Sequence, residues 1–93
     1  MLTKIKEVIF LQIGRKIYYE KSNGVVIWDK GEMEGDVRET TFEEDCTVMP
    51  VSTLIDSSQL GILQLNFGDY QEEFLTCRGY RVNPQTKNIE FAQ

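Results

Sequence analysis

The sequence predicts an α+β domain with a mainly antiparallel sheet, built from two terminal hairpins and a central strand, with two short helices. Three observations predict it. Ile17–Trp28 and Gly79–Phe91 each place β-branched and aromatic residues on both sides of a short polar turn, the composition of strands joined by a tight loop. Leu60–Phe67 alternates apolar and polar residues, the period of a half-buried strand. Thr41 and Asp69 each stand three residues ahead of a glutamate, a spacing that marks helix starts.

Taken in chain order, Lys4–Ile13 fits two periods. Ile5, Val8, Ile9 and Ile13 suit a helix, whereas Ile9, Leu11, Ile13 and Ile17 share a strand face. Its β-branched content and its continuity with Tyr18 and Tyr19 favour the strand. The first hairpin turns at Ser22-Asn23-Gly24, where Asn-Gly accepts the positive φ of a tight turn. Gly31 and Gly35 break the chain around Glu32-Met33-Glu34, and a short edge strand is expected at Asp36–Arg38.

Thr41 with Glu44 forms a capping box, and Glu43, Glu44 and Asp45 complement the dipole of the first helix. Phe42, Cys46 and Met49 share its apolar face, and Pro50 ends it. Val51–Gln59 reads as a Ser-rich loop. On the central strand Leu63, Leu65 and Phe67 share one face, with Ile62 and Gln64 on the other. Asp69 is the expected N-cap of the second helix, and Gly79 its left-handed terminator. The closing hairpin turns at Asn83-Pro84-Gln85-Thr86, a type I pattern. The expected core is Leu63, Leu65, Phe67, Phe74, Tyr80, Val82, Ile89 and Phe91, joined by Phe42 and Met49.

Ninety-three residues make one domain. The net charge of −5 is unevenly spread: residues 1–21 carry +3, and residues 29–45 carry −6 from eight acids against Lys30 and Arg38. Such an acidic middle argues against a nucleic-acid partner, whose phosphates need cations. The apolar run Val8–Ile13 is too short to span a bilayer and lacks a cleavage site behind it, so the expectation is no membrane partner and synthesis in the cytoplasm. Cys46 and Cys77 have no metal-ligand spacing and read as reduced, structural thiols.

There is no histidine, which removes the commonest general base and zinc ligand. The glycines are scattered at turns, so no phosphate loop is formed. Glu32, Glu34 and Asp36 alternate and would hold a hard cation if they shared a strand face; a solvated edge that resists strand pairing accounts for them as well. Capping accounts for Thr41, Glu44, Asp69 and Glu72. The expectation is therefore no catalytic residues, no metal and no cofactor. Arg78 and Arg81 bracket Tyr80 and read as solvent-facing. Tyr18, Tyr19 and Trp28 offer rigid aromatic area of the kind found at interface hot spots, or else they fill the core. With the acids Glu32, Glu34 and Asp36 they make up the expected partner-binding region, in which negative charge steers a basic partner.

The segments Tyr18–Glu32, Thr40–Asp45 and Gly79–Phe91 resemble short, uncharacterised proteins encoded in the tail-gene region of phages and prophages of Bacillus and related Firmicutes. In those proteins a Tyr-Tyr hairpin opens the chain, a Thr-Thr-x-Glu segment follows, and a Gly-Tyr-Arg-Val-Asn-Pro hairpin closes it. The likeness covers roughly residues 17 to 91 and makes residues 1–16 a variable N-terminal extension. Lys87 stands where such loops often carry Gly, which would shift the left-handed position to Asn88. The resemblance implies a tail or host-attachment accessory and brings no catalytic or binding residues with it. Two functions follow as expectations. One is a tail-associated structural accessory that docks on a phage or host protein, or on copies of itself, and is found in the host cytoplasm and then the virion. The other is a small counter-defence module that takes a host protein or a signalling molecule.

Overall fold

The computed structural model describes residues 11–49 and 56–93. In chain order the elements are β1 (Leu11–Ile13), β2 (Lys16–Glu20), β3 (Val26–Asp29), β4 (Met33–Gly35), α1 (Phe42–Val48), a 3-10 turn at Ser57–Gln59, β5 (Leu60–Gln64), α2 (Gln71–Thr76), β6 (Gly79–Val82) and β7 (Ile89–Ala92). Among the described residues every strand pairing is antiparallel. The α+β class stands, with the strands divided among three small sheets: β1–β4, β3–β2–β5 and β6–β7.

The central strand is β2, where the sequence suggested Leu60–Phe67. Strand β5 lies at the edge of its sheet and stops at Gln64. Ile17, Tyr18 and Tyr19 are all buried, so β2 is covered on both faces. A run of apolar residues without polar alternation is what such a strand needs. On one face Ile17, Tyr19 and Val82 pack with Val26, Leu63, Leu65, Phe74, Tyr80 and Ile89. On the other, Tyr18, Met49 and Leu60 pack with Ile27, Trp28 and Phe42. The closing hairpin and α2 thus cover one side of the sheet, and α1 covers the other. The odd-numbered parity expected for β5 holds: Leu63 and Leu65 are half-buried, and Ile62 and Gln64 are exposed. Phe67 is half-buried and lies outside both buried clusters.

A bulge in the β2–β3 ladder falls between Tyr18 and Tyr19, whose partners are Trp28 and Val26. The extra residue, Ile27, lands on the same side as Trp28, because a bulge breaks strict alternation. Two glycines permit close approach. Gly24 has φ +80, and its carbonyl accepts from the Val82 amide at 3.0 Å, joining the two hairpins. Gly61 lies under the Tyr19 ring, where a Cβ would fall 2.4 Å from the ring carbon.

Helix α1 begins as expected. Thr41 Oγ1 accepts from the Glu44 amide at 3.1 Å, the Glu44 carboxylate accepts from the Thr41 amide at 2.9 Å, and the helix ends at Met49. Other boundaries move. The short edge strand is Met33–Gly35, paired with β1, rather than Asp36–Arg38. The Asp69 carboxylate turns back to the Asn66 amide at 3.0 Å, so the N-cap moves one residue on, to Tyr70 in the left-handed region at φ 58. Gly79 is the first residue of β6, and extended Cys77 ends the helix instead. In the closing loop Asn83 Oδ1 accepts from the amides of Gln85 and Thr86, and Lys87 itself takes the left-handed position at φ 64. Of the Lys4–Ile13 segment, Leu11–Ile13 is strand; the rest lies outside the described residues, as does 51–55 of the expected Ser-rich loop.

Candidate functional site

Two polar networks anchor the faces of the central sheet. The first is built on Asp45, which is 1% exposed. Its Oδ1 accepts from Lys30 at 2.7 Å and Thr40 at 2.6 Å; its Oδ2 accepts from Lys16 at 3.0 Å and from the Tyr18 hydroxyl. Burial alone would push this carboxyl up, but the hydrogen bonds from Lys30, Thr40, Tyr18 and Lys16 together outweigh it and hold the group well below the usual carboxylate range. Burial, then the bond to Asp45, pushes the Tyr18 phenol well above its ordinary value. A carboxylate offers about four acceptor positions, and all four are occupied here. This network is a clamp joining α1 to β2 and β3, with no acceptor left for a substrate.

The second network is built on Asp29 at the end of β3. Its Oδ2 accepts from Arg15 Nη1 at 2.7 Å and from the Tyr80 hydroxyl, and its Oδ1 accepts from the Gly31 amide at 2.8 Å. Burial, followed by the bond to Asp29, pushes the Tyr80 phenol well above its ordinary value. The Arg15 guanidinium lies 3.8 Å from the centre of the Phe74 ring. Its Nε is shut away from solvent and has no hydrogen-bond partner among the described residues.

Beside this network opens a cleft of about 380 Å³ lined by Arg15, Glu32, Gln71, Phe74, Leu75 and Tyr80. Helix α2 supplies one wall; β6, the β1–β2 connection and the β3–β4 connection supply the others. Glu32 accepts from the Gly68 amide and, at 3.2 Å, from Gln71 Nε2. Behind the cleft, Phe74 meets Tyr80 edge-on at 5.0 Å and Phe91 at 5.1 Å, and Tyr70 lies 5.6 Å from Phe91. Leu75 is 85% exposed and Tyr70 45% exposed. The arrangement can seat an apolar group and offer it a carboxylate.

The structure does not gather the six expected partner-binding residues into one patch. Tyr18 and Tyr19 are corrected outright, since both are buried in the core and present nothing to a partner. Trp28 is half-buried and stacks on Tyr18, with ring centroids 6.0 Å apart. Glu32 lines the cleft; Glu34 is exposed on β4, and Asp36 is exposed in the bend after it. Glu32, Glu34 and Asp36 do not share a strand, because β4 covers only Met33–Gly35. Five of the eight acids in residues 29–45 already have internal partners: Asp29, Glu32, Glu34, which accepts from Gln12, Asp45, and Glu44, which pairs with Arg38. Cys46 and Cys77 are free and half-buried.

The sequence reading missed Arg15, Gln71 and Leu75. One signal was available for Leu75. Phe74 and Leu75 are adjacent in a six-residue helix, and neighbours on a helix diverge by about 100°, so one of them had to face solvent.

Among the described residues no group of His, Cys, Asp or Glu is placed to hold a metal ion, and no helix is long and apolar enough to cross a membrane. No protein-family model, curated protein or solved structure matches the chain.

Proposed function

We propose that the chain is a non-enzymatic docking protein, a phage-encoded accessory of the tail, acting through the α2–β6–β7 face. The observation that carries the docking reading is the exposed apolar rim at the cleft. Leu75 stands almost free of the protein at a cleft whose apolar lining it shares with Phe74 and Tyr80, both of which pack on Phe91. Isolated exposed leucines are ordinary, but aromatic and arginine side chains around a concavity are the composition of interface hot spots. Action by contact is supported by the titratable groups. Those with displaced values among the described residues, Asp45, Glu44, Asp56, Arg38, Tyr18 and Tyr80, are moved away from neutrality, the two tyrosines by burial first and the others by hydrogen-bonded partners, whereas general acid–base chemistry needs values near the working pH. The phage assignment rests on the sequence resemblance.

The test compares purified phage particles with lysate from infected cells. A fixed amount of the chain per particle, lost when Leu75 is changed to Glu, is the expected result. Presence in the lysate with absence from particles would replace this reading with the counter-defence module, which the cleft volume also suits because small-molecule sites begin near 300 Å³.

A further inference from the structure

We propose that the cleft between α2 and β6 is a receptor for one lysine or arginine side chain of the docking partner. This deepens the docking reading and rests on it. The first support is the charge inside the cleft. Arg15 is neutralised by Asp29 at 2.7 Å, and its guanidinium is stacked on Phe74 with Nε shut away. Glu32, by contrast, is held among the described residues only by neutral donors, the Gly68 amide and the Gln71 side chain. Its charge is therefore uncompensated, and the three ionised groups Arg15, Asp29 and Glu32 leave the cleft with a net charge of −1.

The second support is stereochemical. Each Glu32 oxygen uses one acceptor position on these donors and keeps another open. The remaining lining is apolar or aromatic, from Phe74, Leu75 and Tyr80. A long cationic side chain matches both parts: its methylene stem covers apolar surface while its head stays at a polar edge. Leu75, exposed at the rim, gives the stem a surface that nothing else in the described structure covers. A carboxylate ligand would meet Glu32, and a neutral apolar ligand would leave the charge of Glu32 desolvated and unpaired, which is costly. The same helix adds Glu72 and Glu73, both exposed, which extends the negative field outside the cleft.

The test uses n-butylguanidinium and n-butylammonium as probes, with butyrate as the opposite-charge control, followed by amide chemical shifts in nuclear magnetic resonance. Both cations should shift the amides of Gly68, Gln71 and Leu75 saturably, with a dissociation constant on the order of millimolar for so small a probe. Glu32→Gln keeps an acceptor for the Gly68 amide and should weaken cation binding by about tenfold or more, as a loss of about 1.4 kcal/mol would. Glu43→Gln, exposed on α1, should leave it unchanged. If the Glu32 variant loses its dispersed spectrum, Leu75→Ser decides instead; that position is exposed, and losing the apolar rim should weaken both cations several-fold. Equal shifts with butyrate, an unchanged response in these variants, or no saturable shift with either cation would overturn the receptor. The docking reading stands or falls separately, on whether the chain is found in particles.

Discussion

Asp45 shows how one residue can hold two elements. Its carboxylate ties Lys16 of β2 and Lys30 after β3 to the first helix. Removing one member of a buried pair leaves the others charged and unpaired, so Asp45→Asn should lower stability by about 3–5 kcal/mol in denaturant melts. Tyr18→Phe removes one donor and should cost about 1–2 kcal/mol. The folded-state value of Asp45 is depressed, so its contribution is complete above the ordinary carboxylate range, near pH 4, and is lost as pH falls further. Tyr18 and Tyr80 are raised; their contribution is complete below about pH 10, where unfolded tyrosine ionises, and is lost as pH rises beyond it. Phenolate absorbance from these two should therefore appear together with unfolding, and Tyr18→Phe or Tyr80→Phe should remove part of that late signal. None of this pairing was legible in the sequence. Asp45 looked like a first-turn acid because helix position is local information, whereas its lysine partners come from 15 and 29 residues away. The burial of Ile17-Tyr18-Tyr19 had a local sign, an unbroken apolar run, yet the same rings equally suit an interface until the sheet order is known.

At the scale of elements, what was legible was local. Both hairpins, the capping box and the parity of β5 follow from neighbouring residues, and all are present. The order of strands was not legible, because it depends on which long-range pairing covers which face. Helix α2 was misplaced because the side chain of Asp69 had a rival donor in the Asn66 amide. Two substitutions probe the close fits. Gly61→Ala drives a methyl into the buried Tyr19 ring and should cost about 1–3 kcal/mol by overpacking. Lys87→Gly should instead stabilise the closing hairpin by about 0.5–1 kcal/mol, since a left-handed conformation costs a side chain about 1–2 kcal/mol and glycine returns part of that as chain entropy. Thermal or denaturant midpoints read both signs. Thr41→Ala, which removes the α1 cap, should cost about 1 kcal/mol.

At the scale of the molecule, the three small sheets are unequal. Strand β2 is paired on both sides and buried on both faces, while β1–β4 is a two-stranded ladder of three residues per strand with Leu11 and Glu34 exposed. Two-stranded ladders are marginal alone, so amide hydrogen exchange should be slowest in β2 and fastest in β1–β4; equal protection in the two would mean that the small ladder shares the main core's stability. The backbone bond from Val82 to Gly24 adds a consequence for folding order. Each hairpin closes a short loop and needs only its own neighbourhood, so each can form within microseconds. That bond joins residues 24 and 82 and can close only after the whole intervening chain has been made and arranged. A ribosome that has not yet released residue 82 therefore holds a β2–β3 hairpin whose Ile17 and Tyr19 still lack the cover of Val82. The exchange of a single amide, that of Val82, then reports the final step, when the opening hairpin meets the closing one.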